Sequence, residues 1–361
     1  MAKSPAYFTA SQREIARRCG LSRATVSYAL RDDPKISPQV RNRVRAAARA
    51  LDYRPDPQVV KLMAHLRTAR PRRSVTKVAL IIPGFPAKWM AHNRRMQQML
   101  AGARAQAERH GFAFEQLWLE GEPGMTLRRL QSIVKARGID GLVVGSMRQG
   151  NERFDFDFSG LAVAAIGYSM REPAVHRACP HHYKMMRGLL KEVRQRGFRR
   201  VGALYNQRLE DGSNNLLSSA FYYAQRDLPV PQRLPLQIEE APTIEHVRRY
   251  LRAHRPDVMI GEGYVHQFLT DLGLRVPEDI SFASIDRGDP PYDAAGIDGH
   301  YDLVAATAVD MVATQITLNQ RGLPAVPKVM MVDTEWAPGA TLGQPVRSAR
   351  RVHSPNRTVL R

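Results

Sequence analysis

The sequence predicts a small all-α headpiece followed by an α/β core of two doubly wound parallel-sheet subdomains. Three observations carry that prediction. The chain has 361 residues, too many for one small module, and at 43% apolar and 24% charged it is balanced for globular packing rather than disorder. Its formal charge of +20 is concentrated at one end: residues 1–73 hold 17 Lys and Arg against 5 Asp and Glu, whereas residues 74–343 hold 32 against 29. Finally, the hydrophobic pattern changes near Val75 from short helical segments to a regular alternation of strand and helix.

Within the basic end, Gln12–Cys19 reads as a helix with Ile15 and Ala16 inward. Gly20 can adopt the positive φ of a tight turn, and Ser22 can cap a second helix, Arg23–Leu30, by accepting from its first amides. Leu21, Val26 and Leu30 supply the apolar side of that helix. A third helix begins near Ser37-Pro38, a cap followed by a proline suited to the first turn, and stripes Val40, Val44, Ala47, Ala48 and Leu51 along one face. Two short helices joined by a glycine turn form a helix-turn-helix, whose second helix enters the major groove by its N-terminal end. The residues presented there are Ser22, Arg23, Ala24, Thr25, Ser27 and Tyr28. Arg23 can read a guanine edge with two hydrogen bonds, and Ala24 or the Thr25 methyl can touch a thymine methyl. Ser11, Arg13, Ser37 and Arg41 complete the expected DNA-facing set, chiefly as phosphate contacts.

The run from Glu14 to Leu30, then Ile36-Ser37-Pro38, then Ala50 to Asp56, resembles the N-terminal headpiece of the LacI/GalR family of bacterial transcription regulators. The resemblance implies that Tyr53-Arg54-Pro55-Asp56 opens a hinge helix that orders on operator binding. It places an intercalating apolar wedge at Leu62 and a minor-groove contact at Val59. Pro57 departs from the family pattern but is tolerable in a helix's first turn, and the basic connector through Ser74 is longer than in well-known members.

From Lys77 onward strands and helices alternate: strands at Lys77–Ile82, Phe112–Leu119, Gly141–Val144, Leu161–Ile166, Arg200–Tyr205, Leu236–Glu239, Asp257–Ile260 and Ile280–Ile285, with helices between them. This half resembles the family's effector domain, which shares the fold of periplasmic sugar-binding proteins, over such stretches as Val276-Pro277-Glu278-Asp279 and Trp336-Ala337-Pro338-Gly339. It implies that the helix at Leu303–Gln320 returns the chain to the first subdomain and that the last strand, near Val329–Val332, belongs to the second. Ligands of open parallel sheets sit beyond the carboxyl ends of the strands. That rule selects Phe85, Arg148, Tyr168, Asn206, Glu262 and Asp286 as candidate effector contacts. Two polar positions common in relatives differ here, with Leu217 for an arginine and Glu262-Gly263 for Asn-Asp, so the cleft is expected and its ligand is not readable.

Other chemistries are weighed and set aside. Cys19 and Cys179 are the only cysteines, too few for a disulfide framework or a four-cysteine zinc site. His176, Cys179, His181 and His182 cluster in what reads as a loop, but Pro180 interrupts them and their spacing fits no zinc pattern, so no metal and no cofactor is expected. The family resemblance places His181 and His182 near a segment that approaches the cleft mouth, which leaves a role near the effector or a plain surface position. Phosphate-loop, metalloprotease and nucleophile-elbow motifs do not occur, which argues against an enzyme. An exported solute receptor would share the core but needs an export signal and no basic headpiece. The apolar runs Val78–Pro83 and Leu161–Ile166 are far shorter than a membrane span.

The sequence therefore predicts a headpiece over 1–55, a hinge helix and connector over 56–74, an effector-binding and dimerisation core over 75–343, and an Arg-rich disordered tail over 344–361. The expected function is that of a cytoplasmic homodimeric repressor. It binds a pseudo-palindromic operator and responds to a sugar or sugar derivative held between the two subdomains.

Overall fold

A computed structural model describes residues 11–30, 33–51, 53, 75–84, 93–119, 125–147, 152–288 and 293–345. The expected hinge helix with Val59 and Leu62, the cleft candidates Phe85 and Arg148, and all of the Arg-rich tail beyond Pro345 lie outside these residues.

The headpiece consists of α1 (Gln12–Cys19), α2 (Arg23–Leu30) and α3 (Pro38–Ala50), with the bounds its caps predict. Ile15, Val26, Ala29 and Val44 are fully buried where the three helices meet, with Ala16, Cys19, Ala47 and Ala48 around them. Leu21 and Leu30 pack at the margin, and Ala29 takes the interior place on α2, because its small side chain allows the close approach of the other two helices.

The core follows in chain order as β1 (Lys77–Pro83), α4 (Arg94–Arg109), β2 (Ala113–Leu119), α5 (Leu127–Arg137), β3 (Gly141–Val144), β4 (Glu152–Arg153), β5 (Ala162–Ile166), β6 (Met170–Glu172) and β7 (His176–Pro180). Next come α6 (His182–Gln195), β8 (Val201–Asn206), α7 (Gln207–Gly212), α8 (Leu216–Gln225), β9 (Leu236–Glu239), α9 (Ile244–His254), β10 (Val258–Gly261), α10 (Gly263–Asp271), β11 (Ser281–Ser284) and β12 (Gly296–Asp298). The chain ends in α11 (Tyr301–Leu318), β13 (Val329–Val332) and β14 (Glu335–Ala337).

Two six-stranded sheets result, ordered β13-β7-β5-β3-β1-β2 and β14-β12-β11-β10-β8-β9, with β4 and β6 pairing separately. Every pairing in the first sheet is parallel, and in the second only β12 with β14 is antiparallel. The central strands are buried on both faces, as their apolar runs require. Helices cover each sheet on both sides, giving two hydrophobic clusters per subdomain. The order reverses between β1 and β3 in the first sheet and between β8 and β10 in the second, which are the switch points where crevices open.

The strand Val329–Val332 corrects the sequence reading. It pairs with β7, Val329 beside Arg177 and Val332 beside Pro180, and so belongs to the first sheet. The short connector after α11 reaches the free edge of the sheet that α11 itself covers. The expected return of the long helix does hold: α11 packs on α4 and on β5 and β7. That contact is close enough that a Cβ at Gly102 would overlap the backbone of Asp302. A second correction concerns His176 to Cys179, which form a buried strand rather than a loop. Arg177 can be buried there because its Nη1 donates to the carbonyls of Gly167 and Met170, both at 3.1 Å, and its guanidinium stacks on Tyr168.

The polypeptide passes between the sheets three times: from β7 into α6, from β12 into α11, and from β13 into β14. Those crossings bring the carboxyl ends of the strands of both subdomains to one junction.

Candidate DNA-binding face and inter-subdomain junction

Local capping positions the headpiece surface. Ser11 and Glu14 form a reciprocal capping box, the Glu14 amide donating to Ser11 Oγ at 3.4 Å and the Ser11 amide to Glu14 Oε2 at 2.6 Å. The Ser11 amide holds the Glu14 carboxyl below the usual carboxylate range. Gly20 takes φ 61° and turns the chain. Ser22 Oγ then accepts the Thr25 amide at 3.0 Å and pairs with the Thr25 hydroxyl at 2.8 Å, fixing the start of α2. Ser37 Oγ accepts the Val40 amide at 3.4 Å. Gln12 Nε2 donates to Tyr53 Oη at 3.0 Å, and Arg43 Nη2 donates to the Cys19 carbonyl at 2.8 Å, so both ends of α1 are tied to the C-terminal part of the headpiece.

All ten expected DNA-facing residues within the described headpiece lie on its surface. Ser11, Arg13, Ser22, Arg23, Ala24, Tyr28 and Ser37 are exposed, and Thr25, Ser27 and Arg41 are half-buried. On α2, Ala24 and Tyr28 stand four apart, as do Arg23 and Ser27, so one outer face carries them while Val26 and Ala29 face the core. Tyr28 keeps 43% of its surface in solvent, unusual for an aromatic ring in so small a unit. Ser11, Ser22 and Ser37 act first as helix caps, a role the sequence positions of Ser22 and Ser37 also signalled.

At the junction, the described effector candidates separate into two groups. Asn206 and Glu262 meet at the switch point of the second sheet: Asn206 Nδ2 donates to Glu262 Oε2 at 2.6 Å and the Tyr264 hydroxyl donates to the same oxygen at 2.7 Å. Arg208 Nη2 lies 4.0 Å from the other oxygen. Glu262 is buried, and these partners compensate its charge from within one subdomain. Asp286 and Tyr168 instead reach across. Asp286 Oδ2 lies 2.7 Å from Arg95 Nη2, an ion pair between α4 of the first subdomain and the end of β11 in the second, with the carboxylate buried and the guanidinium largely enclosed. Arg95 also stacks over the Tyr301 ring, and Asp286 Oδ1 accepts the Gly288 amide at 2.8 Å. The Tyr168 amide donates to the Gly212 carbonyl at 3.2 Å, and Arg171 stands 3.6 Å from Asp211, so two more contacts join the subdomains.

Residue-by-residue sequence reasoning missed Arg95, and it named His182 only as a member of the His/Cys cluster near the cleft mouth. Asn93 caps α4 through the Met96 amide, which sets Arg95 in the first turn of the helix after β1; that cap was a usable signal. His182 is the first residue of α6, buried beside Tyr168 with ring centroids 6.5 Å apart. Burial, the Arg95 charge and His181 hold its imidazole neutral, its pKa pushed down to about 3. The folded chain thus refuses a proton that the unfolded chain accepts below about pH 6.5, so this site's stability is complete above that pH and is lost as pH falls toward 3. Acidification from pH 7 to pH 5 should remove about 2 kcal/mol through His182. His176 and His266, also shifted downward by burial, act in the same direction. Chemical denaturation at the two pH values should show that loss, and His182→Leu should lessen it; an equal loss in the variant contradicts this assignment.

No group of His, Cys, Asp and Glu able to hold a metal ion occurs among the described residues. Cys179 is fully buried, its thiol pushed up to about 11 chiefly by that burial, which makes it an inert core residue rather than a soft ligand. Among the described residues no helix is long and apolar enough to cross a membrane.

Comparison with known proteins adds to this geometry. Residues 12–56 match the family model "Bacterial regulatory proteins, lacI family". No curated protein sequence matches the chain. Among solved structures, the transcriptional regulator CelR in complex with cellobiose is similar at TM-score 0.55 and 16% identity, over 92% of this chain and 99% of that one. The lac repressor dimer bound to operator and the anti-inducer ONPF is similar at TM-score 0.53 and 15% identity, over 92% and 99%. A periplasmic binding protein/LacI transcriptional regulator from Alkaliphilus metalliredigens QYMF, complexed with D-xylulofuranose, is similar at TM-score 0.52 and 12% identity, over 74% and 100%. At these identities the likeness shows the fold.

Proposed function

The chain carries a lacI-family helix-turn-helix domain over residues 12–56 on a core with the fold of LacI-family regulators, and from that premise we propose that it is a sequence-specific DNA-binding transcription regulator acting as a repressor. The observation that carries the reading is the outer face of α2, where Arg23, Ala24 and Tyr28 stand exposed on a helix whose start is fixed by Ser22. Arg23, Ala24 and Tyr28 set sequence preference, while Arg13, Ser22, Ser37 and Arg41 hold phosphates. The units are a headpiece over 1–55, a hinge and connector over 56–74 with Val59 and Leu62 in the minor groove, a core over 75–343 and a tail over 344–361. Two copies bind a pseudo-palindromic site, because a two-fold dimer presents two equivalent recognition helices.

In the same reading, a small molecule lies between the subdomains and changes their mutual arrangement, with Tyr168, Asn206, Glu262 and Asp286 around it and Phe85 and Arg148 as further contacts. The cellobiose and D-xylulofuranose bound by two proteins of like fold support a sugar or sugar derivative. The protein works in the cytoplasm and is not an enzyme. Arg23→Ala should relax preference at one base pair of the site by about 1–3 kcal/mol while leaving binding to unrelated DNA nearly unchanged. Competition binding with single-base variants of a selected operator measures this. A uniform loss over all sequences makes Arg23 a phosphate contact instead.

A further inference from the structure

We propose that the inter-subdomain junction contains an anion-binding subsite, in which His182 and Arg95 receive a carboxylate or phosphoryl group of the effector. The inference deepens the effector reading above and rests on it. Its first support is His182 itself. The residue is 5% exposed, and its Nδ1 is sealed from solvent with no hydrogen-bond partner. Buried polar nitrogens are nearly always paired, so an unpaired one on a ring that packs beside Tyr168, a residue of the junction, marks a missing partner.

The second support is the sign of the surroundings. His182 opens α6, a helix of 14 residues, whose first amides present partial positive charge at that end. Arg95 lies close enough for its charge to act on the imidazole, and His181 adds to the same effect. A cation is repelled there. A neutral hydroxyl can pair with the ring but makes little use of the positive field. An anion uses both, because a neutral imidazole with no other hydrogen bond is free to place its single proton on Nδ1 and donate it.

The third support is where the two residues come from. Arg95 stands on α4 of the first subdomain, whereas α6 packs on α8 and on β12 and β14 of the second. An anion shared by Arg95 and His182 therefore links the subdomains, and it competes with Asp286, which pairs with Arg95 at 2.7 Å. Ligand charge is thereby coupled to the bond that joins the two halves. A ligand carboxylate and a phosphate ester would exploit the same chemistry.

The test uses the full chain and inorganic phosphate as probe, with chloride at matched ionic strength as reference, followed by thermal unfolding of the core. Phosphate should raise the core transition, and His182→Leu should weaken the phosphate effect by about tenfold or more in apparent affinity. His182→Gln, which keeps an N–H donor, should retain most of it. A shift of equal size in His182→Leu assigns the phosphate to the basic headpiece and overturns the inference, as does the absence of any shift. Should His182→Leu fail to fold, the imidazole resonances of the wild-type chain decide. Phosphate must move the signal of the histidine that stays neutral at pH 5, and an unmoved signal overturns the inference.

D-gluconate and D-glucose 6-phosphate, each against D-glucose, distinguish a carboxylate from a phosphate ester as the natural source. Stabilisation by D-glucose equal to that by both derivatives overturns the anion inference and leaves a small-molecule effector standing. Phosphate binding at His182 with no change in DNA affinity keeps the subsite and removes the effector reading.

Discussion

Asp286→Ala will destabilise the core by about 3 kcal/mol, because it leaves the Arg95 guanidinium charged and largely enclosed without its carboxylate. Asp286 is 3% exposed and Arg95 17%, which puts the pair at the costly end for a single removal but short of a fully sealed site. The paired change Arg95→Met with Asp286→Leu should recover most of that loss, since the charges leave together and the volume is kept. Urea unfolding of the single and double variants measures both. A single variant within about 0.5 kcal/mol of the parent would mean that the bridge is open to water in solution and contributes as little as a surface pair.

A chain beginning at Val75 will lose operator binding by at least about a thousandfold, together with the steep salt dependence of the parent. The reason lies in the charge distribution: the first 73 residues carry most of the positive excess, and residues 74–343 are nearly neutral. Fluorescence anisotropy over a salt series checks both quantities. The core has four hydrophobic clusters of its own, so its loss of binding can be separated from loss of fold by its unfolding transition. Salt-sensitive DNA binding retained by the shortened chain would move the nucleic-acid surface away from the headpiece.

The headpiece was legible because its information is local. Gly20, Ser22 and Ser37-Pro38 mark helix ends by their own conformational preferences; the first two helices have the predicted bounds and the third begins at the predicted Pro38. The alternation of strands and helices was legible for the same reason, and Asn206, Glu262 and Asp286 do lie at the carboxyl ends of strands or just after them. What failed depended on distant partners. His176 to Pro180 looked like a loop because Arg177 and Pro180 are poor strand residues; only the Gly167 and Met170 carbonyls and the Tyr168 ring make the buried arginine tolerable. Val329 to Val332 was placed in the wrong sheet because nothing within a four-residue strand encodes which edge it meets. Arg95 escaped notice as an ordinary first-turn residue and His182 was read only as part of a loop cluster; their pairing exists only once α4 and α6 stand on opposite sides of one junction.

The central claim is that the chain reads DNA sequence as a symmetric pair of headpieces. Its most direct test is selection from a random duplex pool by the full chain, with the bound sequences read out. The account predicts enrichment of two half-sites related by a two-fold axis, and Arg23→Ala should lose preference at the same position in each half. Recovery of no sequence preference, or of one isolated half-site bound by a single copy, would contradict it.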